Sequence, residues 1–270
     1  ASPDGFSLDF ATKAIFRGSH MPLYESPAVV LRAMKLGEAD KIVTFFTLRF
    51  GKIKAVAKGA KRPKNKFGGR LEPFTHLKVI LFGKEKTDLM RLNSCDVLDP
   101  FLLVRDDLNR LNRAFVSVEL VDCAQKVSDP NPDGFNLLLS LWRGLCLEND
   151  IKKQSLILRL FELKYMSSIG YHPSLDRCVA CQRDIEPPSA GFNALKGGAV
   201  CGKCLVADPA ASRISVGAVR LMSKGMTMPV EMFARLKAGP EALVEIEKSV
   251  ADFVRTHIHR DLKSERFLKI

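Results

Sequence analysis

The apolar pattern of this chain changes period once, near Arg105. Before that point, short stretches alternate apolar and polar residues. Beyond it, apolar residues recur every three or four positions. Alternation places successive side chains on opposite faces of a strand, whereas the longer spacing lines one face of a helix. A chain that changes in this way folds as α+β, with its strands first and its helices after them. Its 270 residues leave room for about two domains and a substantial core.

The strand pattern runs from Pro27 to Asp99. Pro27–Lys35 (PAVVLRAMK) ends at the turn Leu36-Gly37-Glu38. Lys41–Leu48 (KIVTFFTL) is β-branched and aromatic, as strands prefer. Phe50-Gly51-Lys52 turns into a third strand. His76–Phe82 and Asp88–Leu98 supply two more, joined by a hairpin turn at Gly83-Lys84-Glu85-Lys86. Five short strands fit a small barrel, either the oligonucleotide-binding OB-fold or an SH3-like barrel.

The third strand opens the densest charge in the sequence. Between Gly51 and Leu71 there are eight Lys or Arg residues and no Asp or Glu, in a chain whose net charge is +12. Lys52, Lys54 and Lys58 fall on one strand face, and Ile53, Ala55 and Ala57 on the other. Gly59, Pro63, Asn65, Gly68 and Gly69 then predict a long flexible loop. That loop carries Lys61, Arg62, Lys64, Lys66 and Arg70, with Phe67 among them. Cations that follow a phosphate backbone, beside a ring that stacks on a base, suit single-stranded nucleic acid. A solvated loop kept soluble by its charge is the plainer reading. Phe74, between Leu71 and Leu77, fits either a stacking ring or the barrel core.

In the helical part, Leu108, Leu111, Phe115, Val118 and Val121 define a first stripe, which Asp129-Pro130-Asn131-Pro132 ends. Phe135, Leu138, Leu139, Trp142 and Leu145 mark a second. Leu156, Leu160, Leu163 and Met166 mark a third, closed by Gly170. Trp142 and Cys146 read as core. Val216–Leu236 reads as short helices with turns at Gly225 and Pro229. Pro240 starts a longer helix with the stripe Leu243, Ile246, Val250, Phe253 and His257.

Cys178-Val179-Ala180-Cys181 and Cys201-Gly202-Lys203-Cys204 are two CxxC pairs nineteen residues apart. Together they offer the four-sulfur tetrahedral shell that Zn2+ accepts, at the spacing of zinc ribbons and knuckles. The proline- and glycine-rich stretch between them has little core of its own, a deficit that a metal offsets. Four thiolates fill the shell, so the site is structural. Arg177 and Lys203 are the cations expected to favour thiolates, and His172 is near enough to compete as a ligand. A redox dithiol is the rival, but such motifs usually occur singly beside a βαβ unit.

No catalytic motif emerges. Gly197-x4-Gly202-Lys203 is followed by Cys204, not the Ser or Thr that would hold Mg2+ in a phosphate-binding loop. There is no HExxH, no GxSxG and no dinucleotide fingerprint. Asp106-Asp107 is explained by helix capping. Apolar runs fall short of the ~20 residues of a membrane span. Gly18-Ser19-His20-Met21 reads as a vector-derived remnant, so residues 1–21 are set aside as a tag. Seven cysteines that include two CxxC pairs point to a reducing cytoplasm.

These residues resemble a known family. VLRAMKLGEADKIVTFFTLRFGKIKAVAKGAKRPKNKFGGRLEPF (30–74), Leu120-Val121-Asp122, Gly170-Tyr171-His172-Pro173 through Arg177-Cys178, and Leu262-Lys263-Ser264-Glu265-Arg266-Phe267-Leu268 closely resemble the bacterial recombination-mediator and DNA-repair family RecO. The resemblance covers Pro27 to Leu268. It implies an OB-fold (22–100), a helical domain (101–170), a zinc-binding insertion (171–210) and C-terminal helices completing the helical domain (211–270). It also implies binding of single- and double-stranded DNA, annealing of complementary strands, and help in loading the RecA recombinase onto DNA coated by single-stranded DNA-binding protein. The implied partners are RecR and the acidic C-terminal tail of single-stranded DNA-binding protein, with RecA engaged indirectly, no membrane, and a cytoplasmic, nucleoid-associated place in the cell. The metal site then falls on Cys178, Cys181, Cys201 and Cys204. By charge and periodicity, the DNA contacts fall on Arg32, Lys35, Lys52, Lys54, Lys58, Lys61, Arg62, Lys64, Lys66, Phe67 and Arg70. The alternatives are an RNA-binding OB-fold protein, a zinc-dependent nuclease and a purely protein-binding adaptor.

Overall fold

The computed structural model of the chain describes residues 23–83 and 89–268. The stretch read as a tag (1–21) and most of the turn expected at Gly83-Lys84-Glu85-Lys86 lie outside them. Strands β1 (Leu23–Leu36), β2 (Asp40–Thr47), β3 (Gly51–Ala57), β4 (His76–Phe82) and β5 (Met90–Asp99) close into one barrel in the order β1-β2-β3-β5-β4, and β4 returns to β1. Among the described strands of the barrel, only β3 and β5 pair with each other in parallel, at Ala55–Met90 and Val56–Arg91. This is the OB arrangement, not the SH3-like alternative. The alternation of β3 holds: Ile53, Ala55 and Ala57 are buried in the barrel, and Lys54 and Lys58 are exposed.

The helical part contains α1 (Leu102–Arg105), α2 (Leu108–Ala124), α3 (Pro132–Leu147) and α4 (Ile151–Ser168). After an insertion come α6 (Val216–Thr227), a 3-10 turn (Val230–Arg235), α7 (Pro240–Ile258) and a last 3-10 helix (Lys263–Phe267). The insertion itself carries β6 (Ala190–Asn193), β7 (Gly198–Cys201) and the short α5 (Gly202–Val206), and β8 (Ser212–Ile214) completes its three-stranded sheet. Side chains cap the helices where the sequence offers them. Asp107, Asn131 and Ser215 accept from the N–H groups of Arg110, Gly134 and Ala218. No helix among the described residues is long and apolar enough to cross a membrane.

The predicted helices form, but two details differ. In α2, Leu108 is 68% and Phe115 is 42% exposed, while Arg113, Ala114, Val116, Ser117 and Leu120 are buried. Val118 and Val121 of the predicted stripe are buried and Leu111 packs against the same core, so the buried face overlaps the stripe and is extended by small and polar residues that hydropathy does not mark. Gly225 makes no turn. It lies inside α6, where a Cβ would meet Leu160 Cδ2 of α4 at 2.5 Å. The glycine thus allows a close helix crossing, and Pro229 follows the true end.

The barrel is seated on the helices by its own outer residues. Val29, Leu31, Phe46 and Phe74 belong to the helical core, not to the barrel interior. Phe46 meets Phe135 edge-on at 5.7 Å, and Phe74 meets Trp142 at 5.8 Å. Phe74 is therefore a core ring, 3% exposed.

Candidate metal centre and nucleic-acid surface

The two CxxC pairs arise from different local structures. Cys178 and Cys181 flank a tight turn, closed by Gln182 N–H donating to Cys178 O and Cys178 N–H donating to Arg183 O, both at 2.8 Å. Cys201 ends β7, and Cys204 lies in the first turn of α5. Bonds from Ala199 N to Ser174 O and from Val179 N to Ala199 O tie the turn to β7. The four sulfurs consequently lie within 4.8 Å of one another, and Cys181 Sγ is 3.7 Å from Cys201 Sγ. A zinc tetrahedron with ~2.3 Å bonds has its sulfurs about 3.8 Å apart, so four thiols so placed can hold a metal ion.

Electrostatics around the cluster differ from the sequence expectation. Arg183, not Arg177 or Lys203, meets the sulfurs: its N–H and guanidinium bring the Cys181 thiol down to about 6. Burial opposes ionisation of Cys178, but the N–H groups of Cys201, Ala180 and Cys181 outweigh it and lower that thiol too. His172 stands apart, bonded through Nδ1 to Ser167 Oγ at 2.8 Å, and among the described residues the cluster consists of the four cysteines alone. Phe192 of β6 meets Phe253 of α7 at 6.0 Å, which ties the insertion to the helical core.

The basic tract divides into three groups. Lys35, Lys54, Lys58, Arg62 and Lys64 are exposed and make no ion pair among the described residues. Lys61, Lys66 and Arg70 are exposed but pin the loop. Lys61 Nζ donates to Gly37 O at 3.1 Å, Arg70 to Cys95 O at 3.1 Å, and Lys66 to Asn93 O. The loop is therefore a run of turns fastened to the β1–β2 turn and to β5. Arg32 and Lys52 form the third group, facing α2. Both pair with Asp122, at 3.6 and 3.7 Å, and Lys52 Nζ also donates to Asp122 O. Burial lowers the Lys52 ammonium against the opposing pull of Asp122. Lys52 serves the junction between barrel and helices and leaves the exposed basic face.

Phe67 corrects the expectation of a stacking ring. It is 1% exposed and belongs to the barrel core with Ala60 and Leu71. Asn65 Oδ1 accepts from the N–H groups of both Phe67 and Gly68, and this turn carries the ring inward. An aromatic between Lys66 and Gly68 gave no periodicity from which burial was legible.

The structure supplies what the loop lacks. Arg32, Thr44 and Lys54 are register partners across β1, β2 and β3, and Met34, Ile42 and Val56 form the next outward row. Arg91 of β5 extends that row beyond Val56. Met34 is 51% exposed. The outer barrel face thus carries apolar side chains bordered by cations, in a register that shifts at the bulge between Val30 and Arg32.

Comparison with known proteins agrees with this geometry. The family model "Recombination protein O N terminal" matches residues 21–101, and "Recombination protein O C terminal" matches 105–266. The chain is similar to the DNA repair protein RecO of Pelotomaculum thermopropionicum, 32% identical over 92% of this chain and 94% of that protein. It is likewise similar to the protein of the same name in Symbiobacterium thermophilum, 32% identical over 92% of this chain and 97% of that one. The counterpart in a Roseiflexus species is 31% identical over 91% and 85%. With both halves matched and such relatives covered nearly end to end, the chain belongs to the RecO family.

Proposed function

We propose that the protein is a non-catalytic DNA-binding mediator of recombinational repair. It binds single- and double-stranded DNA, anneals complementary strands, and assists loading of RecA onto DNA coated by single-stranded DNA-binding protein. RecR and the acidic tail of single-stranded DNA-binding protein are its protein partners, in the cytoplasm with the nucleoid. The observation that carries this reading is the exposed set Lys54, Lys58, Arg62 and Lys64 on an OB barrel, with no acid paired to it among the described residues.

Annealing requires no bond chemistry. Two polyanions must approach, and cations lower that barrier by releasing counterions. Phosphate contacts read no base edges, so little sequence preference follows. Phe67 and Phe74 are committed to the two cores, and base contacts fall to the outward row Met34–Ile42–Val56. The four cysteines hold one structural Zn2+, which supplies cohesion to the insertion and leaves no open ligand position for hydrolysis.

The test is annealing of two complementary oligonucleotides across a salt series. The intact protein accelerates annealing, and K54A/K58A/R62A/K64A loses both the rate and part of the salt dependence. Equal annealing by both would move the DNA site off the barrel.

A further inference from the structure

The C-terminal 3-10 helix lies along α2, and its side chains and backbone are divided between two tasks. Backbone atoms do the anchoring. Lys263 N and Ser264 N donate to the Glu119 carboxylate at 2.9 and 2.8 Å, and Asn112 Nδ2 donates to Phe267 O at 3.0 Å. Ser264 Oγ joins the same carboxylate at 2.5 Å, and Glu265 turns inward to Arg159 at 2.6 Å. The segment therefore runs antiparallel to α2, from Glu119 back to Asn112.

Asp122, the residue that holds Arg32 and Lys52, lies one turn beyond Glu119 on the same side of α2. Three acids of this face are thus engaged within the fold, Asp122 by the barrel, Glu119 by the C-terminal backbone and Glu265 by Arg159, and Asp261 alone among the described acids of the segment is exposed without an ion pair. The cations are not so engaged. Arg260, Lys263 and Arg266 are exposed and make no ion pair among the described residues. The Arg266 guanidinium sits 4.7 Å from the ring centroid of Phe267, a ring that is 51% exposed. From Asn112 to Asp122 the helix axis advances about 15 Å, the length of about four nucleotides stacked at ~3.4 Å.

We propose that this C-terminal segment is a second single-strand contact, continuing the basic face of the barrel along α2. Lys263 and Arg266 meet phosphates there, and Phe267 stacks on a base. The proposal rests on the DNA-binding reading above. It provides the exposed ring that Phe67 does not, because a half-exposed aromatic under a guanidinium is an arrangement on which bases stack.

The experiment uses the full chain and fluorescence anisotropy of labelled oligothymidylate across a salt series. The anchors are mostly backbone atoms, so K263A/R266A and F267A keep the wild-type melting temperature. K263A/R266A lowers the log–log salt slope by about 1.4, two single-strand phosphate contacts. F267A weakens binding about tenfold with the slope unchanged, and F267W restores it. Wild-type affinity and slope in both variants, with K54A/K58A/R62A/K64A impaired, would overturn the C-terminal contact and leave the DNA reading standing. The same holds if the variants lose affinity only for an Asp/Glu-rich peptide, which would give the patch to a protein partner. Failure of the unaltered protein to bind would overturn both.

Discussion

Gly51 at the start of β3 sits so close to Asp129 that a Cβ on it would lie 2.1 Å from the Asp129 carbonyl oxygen. Its φ of +65° is also one that other residues adopt only under strain. Beside it, Ser128 N donates to Lys52 O at 3.0 Å, so the barrel and the segment after α2 are joined backbone to backbone. Replacing this glycine strains the turn and separates the junction at once. G51A is expected to lose about 2–6 kcal/mol of stability, the sum of a left-handed non-glycine and an overpacked contact. Chemical denaturation measures it, and a loss below ~1 kcal/mol would show that the junction yields.

The buried Phe67 separates packing from DNA contact. F67A is expected to cost about 3–5 kcal/mol, as large aromatic truncations in cores do. Its single-strand salt slope should remain that of the parent under conditions where both are folded. K54A/K58A/R62A/K64A is expected to show the opposite pattern: little change in melting temperature and a slope lower by about 2.8. Comparing the two by thermal melting and by titration decides whether ring and cations serve different purposes.

Metal removal should act locally. Cys178 and Cys201 are buried and lie in the same core as Phe192 and Phe253. A chelator, or C178S/C201S, is expected to release one zinc per chain and to raise hydrogen exchange through 174–214, while β1–β5 keep their protection. Equal loss of protection in the barrel would make the metal a global element instead. Acid releases the metal as well, because the ligands bind it as thiolates.

Glu119 gives the C-terminal segment a pH dependence. Burial alone would raise its carboxyl, but the hydroxyl and N–H of Ser264 and the N–H of Lys263 outweigh it and hold the group below the usual carboxylate range. A depressed folded value means that the stabilisation is complete above the ordinary carboxylate range. It is lost as the pH falls through the lower folded value. Exchange protection at Lys263 and Ser264 is therefore expected to fall on acidification before the barrel unfolds. E119Q should show reduced protection already at neutral pH. Protection that survives to the acid limit of the barrel would remove Glu119 as the anchor.

Much of this protein was legible in one dimension because the relevant forces are local. The period change near Arg105, the alternation of β3, the cap at Asp107, the break at Asp129-Pro130-Asn131-Pro132 and the proline start of α7 all follow from backbone geometry over a few residues. The CxxC spacing marks the metal centre for the same reason, since each pair closes its own turn. Hydropathy failed where a residue's surroundings come from distant chain. Phe67 stands among lysines, yet a turn at Asn65 directs it into the barrel. Lys52 shares a strand face with Lys54, yet only Lys52 meets Asp122. Arg159, Glu162 and Glu265, an ion cluster in the middle of an apolar helix bundle, carry no periodic signature. Only the folded chain brings Asp122, Glu119 and the last 3-10 helix onto one face of α2, because that face is assembled from segments more than a hundred residues apart. Sequence determined the elements and the sulfur ligands; tertiary packing decided which cations remain for a partner and which are consumed within the fold.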